Sequence, residues 1–167
     1  MKVVFLDIDG VVNTLKLYKT APNHIPPEQL KLVEGYYVDI CSSSNKRVSN
    51  IDAMCWLDKL CHKFDLKIVI SSTWRLGDME EVKEALYNSG LSRDVEIIGK
   101  TERLHTDHCR GDEIKLYLNQ HKDIENFVIF DDDSDMYGLD DHFIQTNTYV
   151  GITFNEYERA CRILEKN

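Results

Sequence analysis

The sequence predicts an α/β fold, in which a doubly wound, Rossmann-like and mainly parallel sheet carries helices on both faces. Two observations support this fold class. Short, continuous apolar runs at 3–6, 68–70 and 127–130 are typical of parallel strands buried on both faces. Segments in which apolar residues recur at helical spacing lie between these runs, as expected where strands and helices alternate.

The ends of the three predicted strands locate a candidate site. The runs stop at Asp7, Ser71 and Asp131 respectively. In open α/β sheets, ligands bind beyond the carboxyl ends of the strands. We therefore expect the functional groups at this edge of the sheet. Weaker strand patterns at 95–98 and 143–145 predict two further strands.

Apolar periodicity also predicts four helices, and several of their ends carry recognisable capping residues. The helices cover roughly 51–64, 79–90, 111–121 and 154–164. Ser49 or Asn50 caps the first helix, and Gly90 ends the second. Thr153 and Glu156 form a capping box at the start of the fourth.

The segment 13–47 fits no regular element and holds all three prolines of the chain. An irregular stretch of this length is uncommon in a compact domain unless it is functional. We interpret it as a flap or minimal cap over the site, with a hairpin near 36–40. No linker divides the sequence, so we expect residues 1–167 to form a single domain.

Composition excludes several classes of protein. The 167 residues are 43% hydrophobic with a net charge of -9, which excludes both a disordered acidic tail and a basic nucleic-acid coat. The apolar runs are far shorter than the ~18 residues of a membrane span, and the first residues do not resemble a secretory signal. The five cysteines form no CxxC pair, so we expect reduced thiols and a cytoplasmic location. The cysteines expected in the core are Cys55, Cys61 and Cys161.

Acidic residues are concentrated at two strand ends. Asp7 and Asp9 follow the first strand, and Asp131, Asp132, Asp133 and Asp135 follow a later one; without these six acids the net charge changes from -9 to -3. Carboxylates this close repel one another unless a cation intervenes. Hard oxygen ligands without nearby Cys or His partners favour Mg²⁺.

Four segments in order resemble the motifs of the haloacid dehalogenase (HAD) superfamily. The first is Phe5-Leu6-Asp7-Ile8-Asp9-Gly10-Val11, a DxDG motif after a hydrophobic strand. Ser71 resembles the second motif, Arg110 the basic third motif, and the pair Asp131-Asp132 the acidic fourth. Four motifs in order carry far more weight than one. The resemblance covers essentially the whole chain and implies a HAD-like phosphatase.

The resemblance assigns roles to the acids. Asp7 is the nucleophile that forms an aspartyl-phosphate, and Asp9 is the acid that protonates the leaving oxygen and later activates water. Mg²⁺ is held by Asp7, the backbone carbonyl of Asp9, and Asp132, with Asp131 as the alternative ligand. Asp133 and Asp135 act through water or cap the next helix.

The resemblance also assigns the groups that hold the phosphoryl oxygens. These are Ser71 and Arg110, at positions where charge shifts in the transition state. Ser72 is a substrate-binding candidate, and because Ser72 and Thr73 follow Ser71 directly, the register is open by one residue. Lys115 is the alternative for the basic role. We favour Arg110 because it lies at the start of a helix, where backbone N–H groups also attract an anion.

Two other positions near the site have alternative interpretations. Arg75 either binds a substrate phosphate or is a solvated loop arginine. Trp74 either stacks on a base or closes the core.

His105, His108 and Cys109 lack a fourth ligand and standard finger spacing, so a structural or rim role is expected rather than zinc binding.

The resemblance implies a phosphorylated substrate. The gaps between motifs leave no room for a large cap domain, so an open site is expected that can admit a phosphate on the end of a large molecule. The segments following Ser71, Arg110 and Ile129 resemble HAD modules of RNA-repair proteins, similar to polynucleotide 3′-phosphatases. A nucleic-acid 3′-phosphate is therefore one candidate substrate, with small phosphoesters and phosphoproteins as alternatives. The residues that could line a basic approach are Lys16, Lys19, Lys46, Arg47, Arg75, Arg103 and Arg110. Oligomeric state is not readable from the sequence.

A non-enzymatic alternative is a receiver-like domain that is phosphorylated on aspartate as a switch. Receivers also combine acids with a doubly wound sheet. However, they place the acceptor aspartate after a later strand and lack the DxDG spacing found at Asp7 and Asp9. This spacing favours the enzyme.

Overall fold

The computed structural model describes residues 1–14, 36–39, 47–104 and 108–166 and contains seven strands in these ranges. The strands are β1 (Lys2–Leu6), β2 (Tyr36–Asp39), β3 (Arg47–Asn50), β4 (Leu66–Ile70), β5 (Ile97–Lys100), β6 (Asn126–Asp131) and β7 (Phe143–Gln145). Five of them form one sheet in the order β5-β4-β1-β6-β7, with every neighbouring pair parallel. The predicted parallel sheet is thereby confirmed, including its two weaker strands.

The register of the three central strands aligns their carboxyl ends. Leu6, the last residue of β1, lies opposite Ile70 of β4 and Phe130 of β6. The alignment continues one residue further, because the Asp7 amide donates to the Phe130 carbonyl at 3.0 Å and the Ser71 amide donates to the Leu6 carbonyl at 2.9 Å. The sheet therefore brings the next residue of each strand to the same edge.

Within the described ranges, four α-helices cover the two faces of the sheet. They are α1 (Ile51–Phe64), α2 (Met79–Asn88), α3 (Arg110–Gln120) and α4 (Phe154–Leu164). One core cluster packs α1, α2 and α4 against one face, which includes Val4 and Leu6 of β1. The other packs Ile114 and Tyr117 of α3 against the face that includes Val3 and Phe5. Alternate residues of β1 thus enter opposite cores, which is why its sequence is apolar throughout.

The helix ends follow the capping chemistry of the sequence. Asn50, rather than Ser49, caps α1, because its side chain accepts the amides of Asp52 and Ala53. Thr153 and Glu156 form the predicted capping box of α4.

The burial of two predicted core cysteines is confirmed, and one prediction is wrong. Cys61 and Cys161 are buried, whereas Cys55 is exposed. The buried stripe of α1 includes Met54 and Leu57. Cys55 follows Met54 directly, so its side chain points about a quarter of the way around the helix from this stripe and lies on the solvent side.

The described part of segment 13–47 includes the first strand of an antiparallel hairpin. β2 pairs with β3, with Tyr36 opposite Asn50 and Asp39 opposite Arg47. The hairpin expected near 36–40 is therefore present, and β3 leads directly into α1. Most of the predicted flap, at 15–35 and 40–46, lies outside the described residues. Among the helices described, none is long and apolar enough to cross a membrane.

The loop after β1 packs against the loop before α4. The Ile8 carbonyl accepts the amides of residues 11–13 in one helical turn, and the Val11 carbonyl accepts the Ile152 amide at 3.0 Å. Gly151 has φ +72° beside this contact, and a Cβ atom there would lie 2.1 Å from the Val11 oxygen. Only glycine fits both the backbone conformation and the space.

We therefore expect Gly151→Ala to lower the free energy of unfolding by more than about 1 kcal/mol. Chemical denaturation measures the change. Gly77→Ala is the matched control, because Gly77 has no positive φ and its added Cβ would meet the Trp74 carbonyl at an ordinary 3.5 Å. Equal stability of the two variants would contradict the proposed tight contact between the loops.

Candidate active site

A polar cleft of about 350 Å³ lies beyond the carboxyl ends of the central strands. It is lined by Asp7, Asp9, Gly10, Asn13, Thr73, Arg110, Asp131, Asp132, Asp133 and Thr148. The lining residues come from five parts of the chain: the ends of β1 and β6, the loops after β4 and β7, and the start of α3. The loop after β7 adds Thr148. The cleft therefore occupies the position that the strand ends predicted.

Three carboxyl groups meet in this cleft, and we call Asp7, Asp131 and Asp132 the acidic triad. One oxygen of each lies within 4.8 Å of the others. Among the described residues, this is the group of carboxylate, His and Cys side chains that is close enough to hold one metal ion. Asp7 and Asp131 are buried, at 7% and 2% exposure.

Burial and mutual repulsion disfavour the charged form of these acids. Burial raises the pKa of Asp131 to about 8, and the neighbouring Asp7 contributes to the increase. Burial also raises the pKa of Asp7 to about 6, although Arg110 and a hydrogen bond from Ser72 act in the opposite direction. A cation bound here would relieve the repulsion and stabilise the charged form of these acids.

The two acids of the fourth motif have different environments. Asp131 accepts the Asp133 amide through Oδ1 at 3.0 Å, while its buried Oδ2 has no hydrogen-bond partner in the part of the chain that the structure describes. Asp132 accepts the Thr148 hydroxyl through Oδ2 at 2.7 Å. Both belong to the acidic triad, so the geometry does not choose between the alternative metal ligands. Thr148 was not among the predicted site residues, because its contact depends on a loop 16 residues further along the chain.

Gly10 lets the loop after β1 approach the Asp132 side chain closely. It has φ +79°, and a Cβ atom there would lie 2.3 Å from the Asp132 carboxyl carbon. The glycine of the DxDG motif is thus required by two conditions, a left-handed backbone and direct contact with a triad carboxylate.

Asp9 lies in the cleft but outside the acidic triad. Its Oδ1 accepts the Asn13 side-chain amide at 2.6 Å, and its Oδ2 accepts the Trp74 indole N–H at 2.8 Å. Both carboxylate oxygens are held, and the side chain is exposed to the cleft. Trp74 is also partly buried against the core, as one of its two predicted roles requires, and stacking on a base stays a prediction.

The loop after β4 brings three hydroxyl groups to the site. The Ser72 side chain hydrogen-bonds to Asp7. Ser71 is fully buried, and its hydroxyl has no hydrogen-bond partner among the described residues. Thr73 lines the cleft. Ser71 and Ser72 therefore both remain candidates for binding a phosphoryl oxygen.

Arg110 faces the predicted nucleophile, whereas Lys115 does not. The Arg110 Nη1 atom lies 3.5 Å from Asp7 Oδ1. The Lys115 Nζ atom instead lies 3.5 Å from Asp112 Oδ1 on the same helix, and the Lys115 side chain is 40% exposed. Asp135 accepts the Arg110 amide at 2.9 Å, at the start of α3; this helix precedes Asp135 in the chain, so the contact differs from the expected cap of the next helix.

The expectation that Arg75 binds substrate is wrong for this structure. The Arg75 side chain is only 4% exposed and does not line the cleft. It donates to the carbonyls of Ser71 and Ser72 and pairs with Glu113, a residue that the sequence did not single out. The physical reason is the short 3₁₀ helix Thr73–Leu76, whose tight turn directs this side chain inward.

The described residues give no support to a zinc site at 105–109. His105 lies outside the described residues, and exposed His108 lies 3.6 Å from the Asp112 carboxylate. Cys109 precedes α3 as its capping residue. Of the residues expected to line a basic approach, Arg103 is exposed, whereas Lys16, Lys19 and Lys46 lie outside the described residues, as does the side chain of Arg47.

The chain matches a family model over most of its length. The model describes the HAD domain in Swiss Army Knife RNA repair proteins, and the match covers residues 3–156. No curated protein and no solved structure matches the chain. The matched span contains every residue of the cleft and of the acidic triad, and the fold is the α/β fold with a parallel sheet that the motifs implied. The chain belongs to the family of HAD domains found in Swiss Army Knife RNA repair proteins, which implies a phosphatase or hydrolase type of function.

Proposed function

We propose that this protein is a Mg²⁺-dependent phosphomonoesterase that acts through an aspartyl-phosphate on Asp7. The observation that carries the proposal is the placement of Asp7 between the Arg110 guanidinium and two further acids. Arg110 lies 3.5 Å from one oxygen of Asp7, and Asp131 and Asp132 complete the acidic triad. A carboxylate nucleophile can approach a negatively charged phosphoryl group only where positive charge offsets the repulsion.

The residues present fit a divalent cation. Three carboxylates converge, and one buried Asp131 oxygen lacks a protein partner in the described structure. An all-oxygen donor set of this kind suits Mg²⁺ better than metals that prefer thiolate or imidazole. Asp7, Asp131 and Asp132 would hold the ion, and the Asp9 carbonyl is a further candidate ligand. When bound, Mg²⁺ would neutralise the acids and polarise the phosphoryl group.

The protein groups supply the covalent chemistry in two steps. In the first, an Asp7 oxygen forms a bond to phosphorus while the bond from phosphorus to the ester oxygen breaks, and Asp9 gives its proton to that oxygen. In the second, water attacks phosphorus, Asp9 takes the water proton, and the acyl–phosphate bond breaks to regenerate Asp7. Arg110 and the Ser71–Ser72 hydroxyls would bind the phosphoryl oxygens throughout.

The substrate we favour is a nucleic-acid end that carries a 3′-phosphate. The matched family is described by its occurrence in RNA repair proteins, and the cleft is small and polar, which suits a terminal phosphate more than a whole metabolite. The net charge of -9 opposes binding of a phosphate backbone. Six of the acids responsible belong to the two strand-end clusters, where bound metal and Arg110 would offset part of that charge.

A receiver-like phospho-acceptor is the second candidate, because receivers also gather acids at strand ends. Asp9 distinguishes the two functions. It lies two residues after Asp7 with both oxygens held by Asn13 and Trp74, as a group that transfers protons at a fixed position would require. A switch that keeps its phosphate has no need of such a group.

The first prediction concerns the nucleophile. We expect Asp7→Asn to lower kcat for an aryl phosphate by roughly 10³-fold or more, because the amide cannot form the covalent bond. Asp94→Asn is the control, since Asp94 is an exposed acid whose one described contact is with His62. Circular dichroism must show that both variants are folded. Near-normal turnover by folded Asp7→Asn would contradict the mechanism.

The second prediction concerns the metal. Because a cation relieves repulsion in the folded state only, Mg²⁺ should stabilise the protein, by about 2.7 kcal/mol at 100 times its Kd. The raised pKa values mean that the metal-free protein loses stability as pH rises from the ordinary Asp value of 3.8 toward about 8, so stabilisation by Mg²⁺ should grow over this range. Thermal unfolding with Mg²⁺ or with chelator measures both effects.

Matched variants test where the metal binds. Asp132→Asn should abolish most of the Mg²⁺ stabilisation and keep an acceptor for Thr148. Asp133→Asn should have little effect, because Asp133 lies outside the acidic triad and accepts the Ser134 amide. Full activity in excess chelator, or an equal effect of the two variants, would contradict the proposed site.

The third prediction concerns the substrate. We expect kcat/KM for a 3′-phosphorylated oligonucleotide to exceed that for a 3′-mononucleotide and a phosphopeptide at low salt, with the advantage shrinking as salt increases. If the oligonucleotide has no advantage at low salt, the nucleic-acid assignment is wrong. A phosphatase for small phosphoesters or phosphoproteins would then describe the protein better.

A further inference from the structure

A buried ion pair lies directly behind the phosphoryl-binding side of the cleft. The side chains of Arg75 and Glu113 are 4% and 8% exposed, and the Arg75 Nη2 atom donates to Glu113 Oε2. Charged side chains are rarely buried to this degree unless they are paired. Such a pair is weak evidence for stability, because desolvation of the two charges offsets their attraction. Its further contacts indicate what else it does.

Arg75 holds the backbone of the loop after β4. Its Nη1 atom donates to the Ser71 carbonyl at 2.8 Å and to the Ser72 carbonyl at 2.7 Å. One planar guanidinium thereby connects two successive carbonyls and a carboxylate. A lysine ammonium lacks this fork and could not reproduce the arrangement. The positions of the Ser71 and Ser72 hydroxyls therefore depend on Arg75.

Glu113 connects this loop to the start of α3. Its Oε1 atom accepts the Leu104 amide at 3.1 Å, which fixes the carboxylate from a third segment of the chain. Its Oε2 atom lies 3.6 Å from Arg110 Nε, on the same helix. One carboxylate therefore lies between two arginines, one directed at the serine loop and one directed at Asp7.

This arrangement leaves the Nη1 atom of Arg110 available to bind a phosphoryl oxygen. Arg110 Nη1 is buried and makes no hydrogen bond within the described residues, and it lies 3.5 Å from Asp7 Oδ1. Because Glu113 engages the Nε side of the guanidinium, the Nη1 side is directed to the nucleophile. Without Glu113, the guanidinium would be free to shift onto the acids of the cleft.

We propose that Glu113 and Arg75 are positioning residues for phosphoryl binding, with Glu113 orienting Arg110 toward Asp7 and Arg75 fixing the Ser71–Ser72 loop. This inference rests on the proposed phosphomonoesterase function and deepens it. It assigns the geometry of the phosphoryl-binding groups to a pair of buried charges that never touch substrate. The competing interpretation is an ion pair that only stabilises the fold.

The test is a double-mutant cycle on activity. We expect Glu113→Gln to lower kcat by about 10²-fold through misplacement of Arg110. In an Arg110→Lys background, the same change should cost much less, because there is no guanidinium left to orient. Losses that simply multiply in the double variant would overturn the proposal, since a purely structural role acts independently of Arg110.

Two further variants separate positioning from folding. Glu113→Asp keeps the charge but draws the carboxylate back from Arg110, so it should lower kcat even if Glu113→Gln fails to fold. The control is the exposed, bidentate pair of Arg93 with Glu84, whose bonds are 2.9 and 2.8 Å. Glu84→Gln should leave both kcat and the thermal midpoint nearly unchanged. Wild-type kcat in folded Glu113→Asp would overturn the assignment of Glu113.

Binding of inorganic phosphate separates this inference from the proposed function. Calorimetry in Mg²⁺ measures phosphate binding without turnover. If the wild type binds phosphate but hydrolyses no phosphomonoester, the proposed function fails, and weaker binding by Glu113→Asp with normal binding by Glu84→Gln would still support the positioning role. Unchanged phosphate affinity in folded Glu113→Asp would overturn it.

Discussion

Repulsion among three carboxyl groups, held within 4.8 Å of one another, is the constraint on which the rest of the site depends. The sheet imposes this proximity, because the flush ends of β1 and β6 place Asp7 beside Asp131. At the effective dielectric of a protein, two like charges at 4 Å repel by about 4 kcal/mol. The fold tolerates the arrangement only with compensating positive charge or bound protons, and the raised pKa values of Asp7 and Asp131 reflect this.

In the part of the chain that the structure describes, two arginines near the cleft have different roles. Arg110 lies against Asp7 and offsets part of the increase in the pKa of Asp7 that burial causes. Arg75 is withdrawn behind the serine loop, where its guanidinium bonds to backbone carbonyls and to Glu113. Arg110 alone cannot balance three acids, so the remaining charge is available to a metal ion. In the proposed mechanism, Arg110 would act beside a metal ion held by the acidic triad.

Much of the fold and part of the site could be predicted because they depend on local patterns. The apolar runs that end at Asp7, Ser71 and Asp131 gave the strands and their shared edge, and the Asn50 cap is a local signal. Contacts between distant segments could not be predicted in this way. Thr148 reaches Asp132 from the loop after β7, which also contacts Gly10 because the Thr146 hydroxyl donates to the Gly10 carbonyl. The burial of Arg75 depends on one 3₁₀ turn and on its pairing with Glu113. Neither depends on sequence spacing, so neither has a pattern that periodicity or motifs would detect.

The central claim is that Asp7 becomes covalently phosphorylated during turnover. Acid quenching of the protein during hydrolysis of an aryl phosphate, followed by borohydride reduction and peptide mass spectrometry, tests it directly, because reduction converts an aspartyl-phosphate to homoserine. We expect homoserine at position 7, formed and lost at rates that match turnover. Turnover without modification of Asp7, or homoserine at Asp131 or Asp132 instead, would contradict the account.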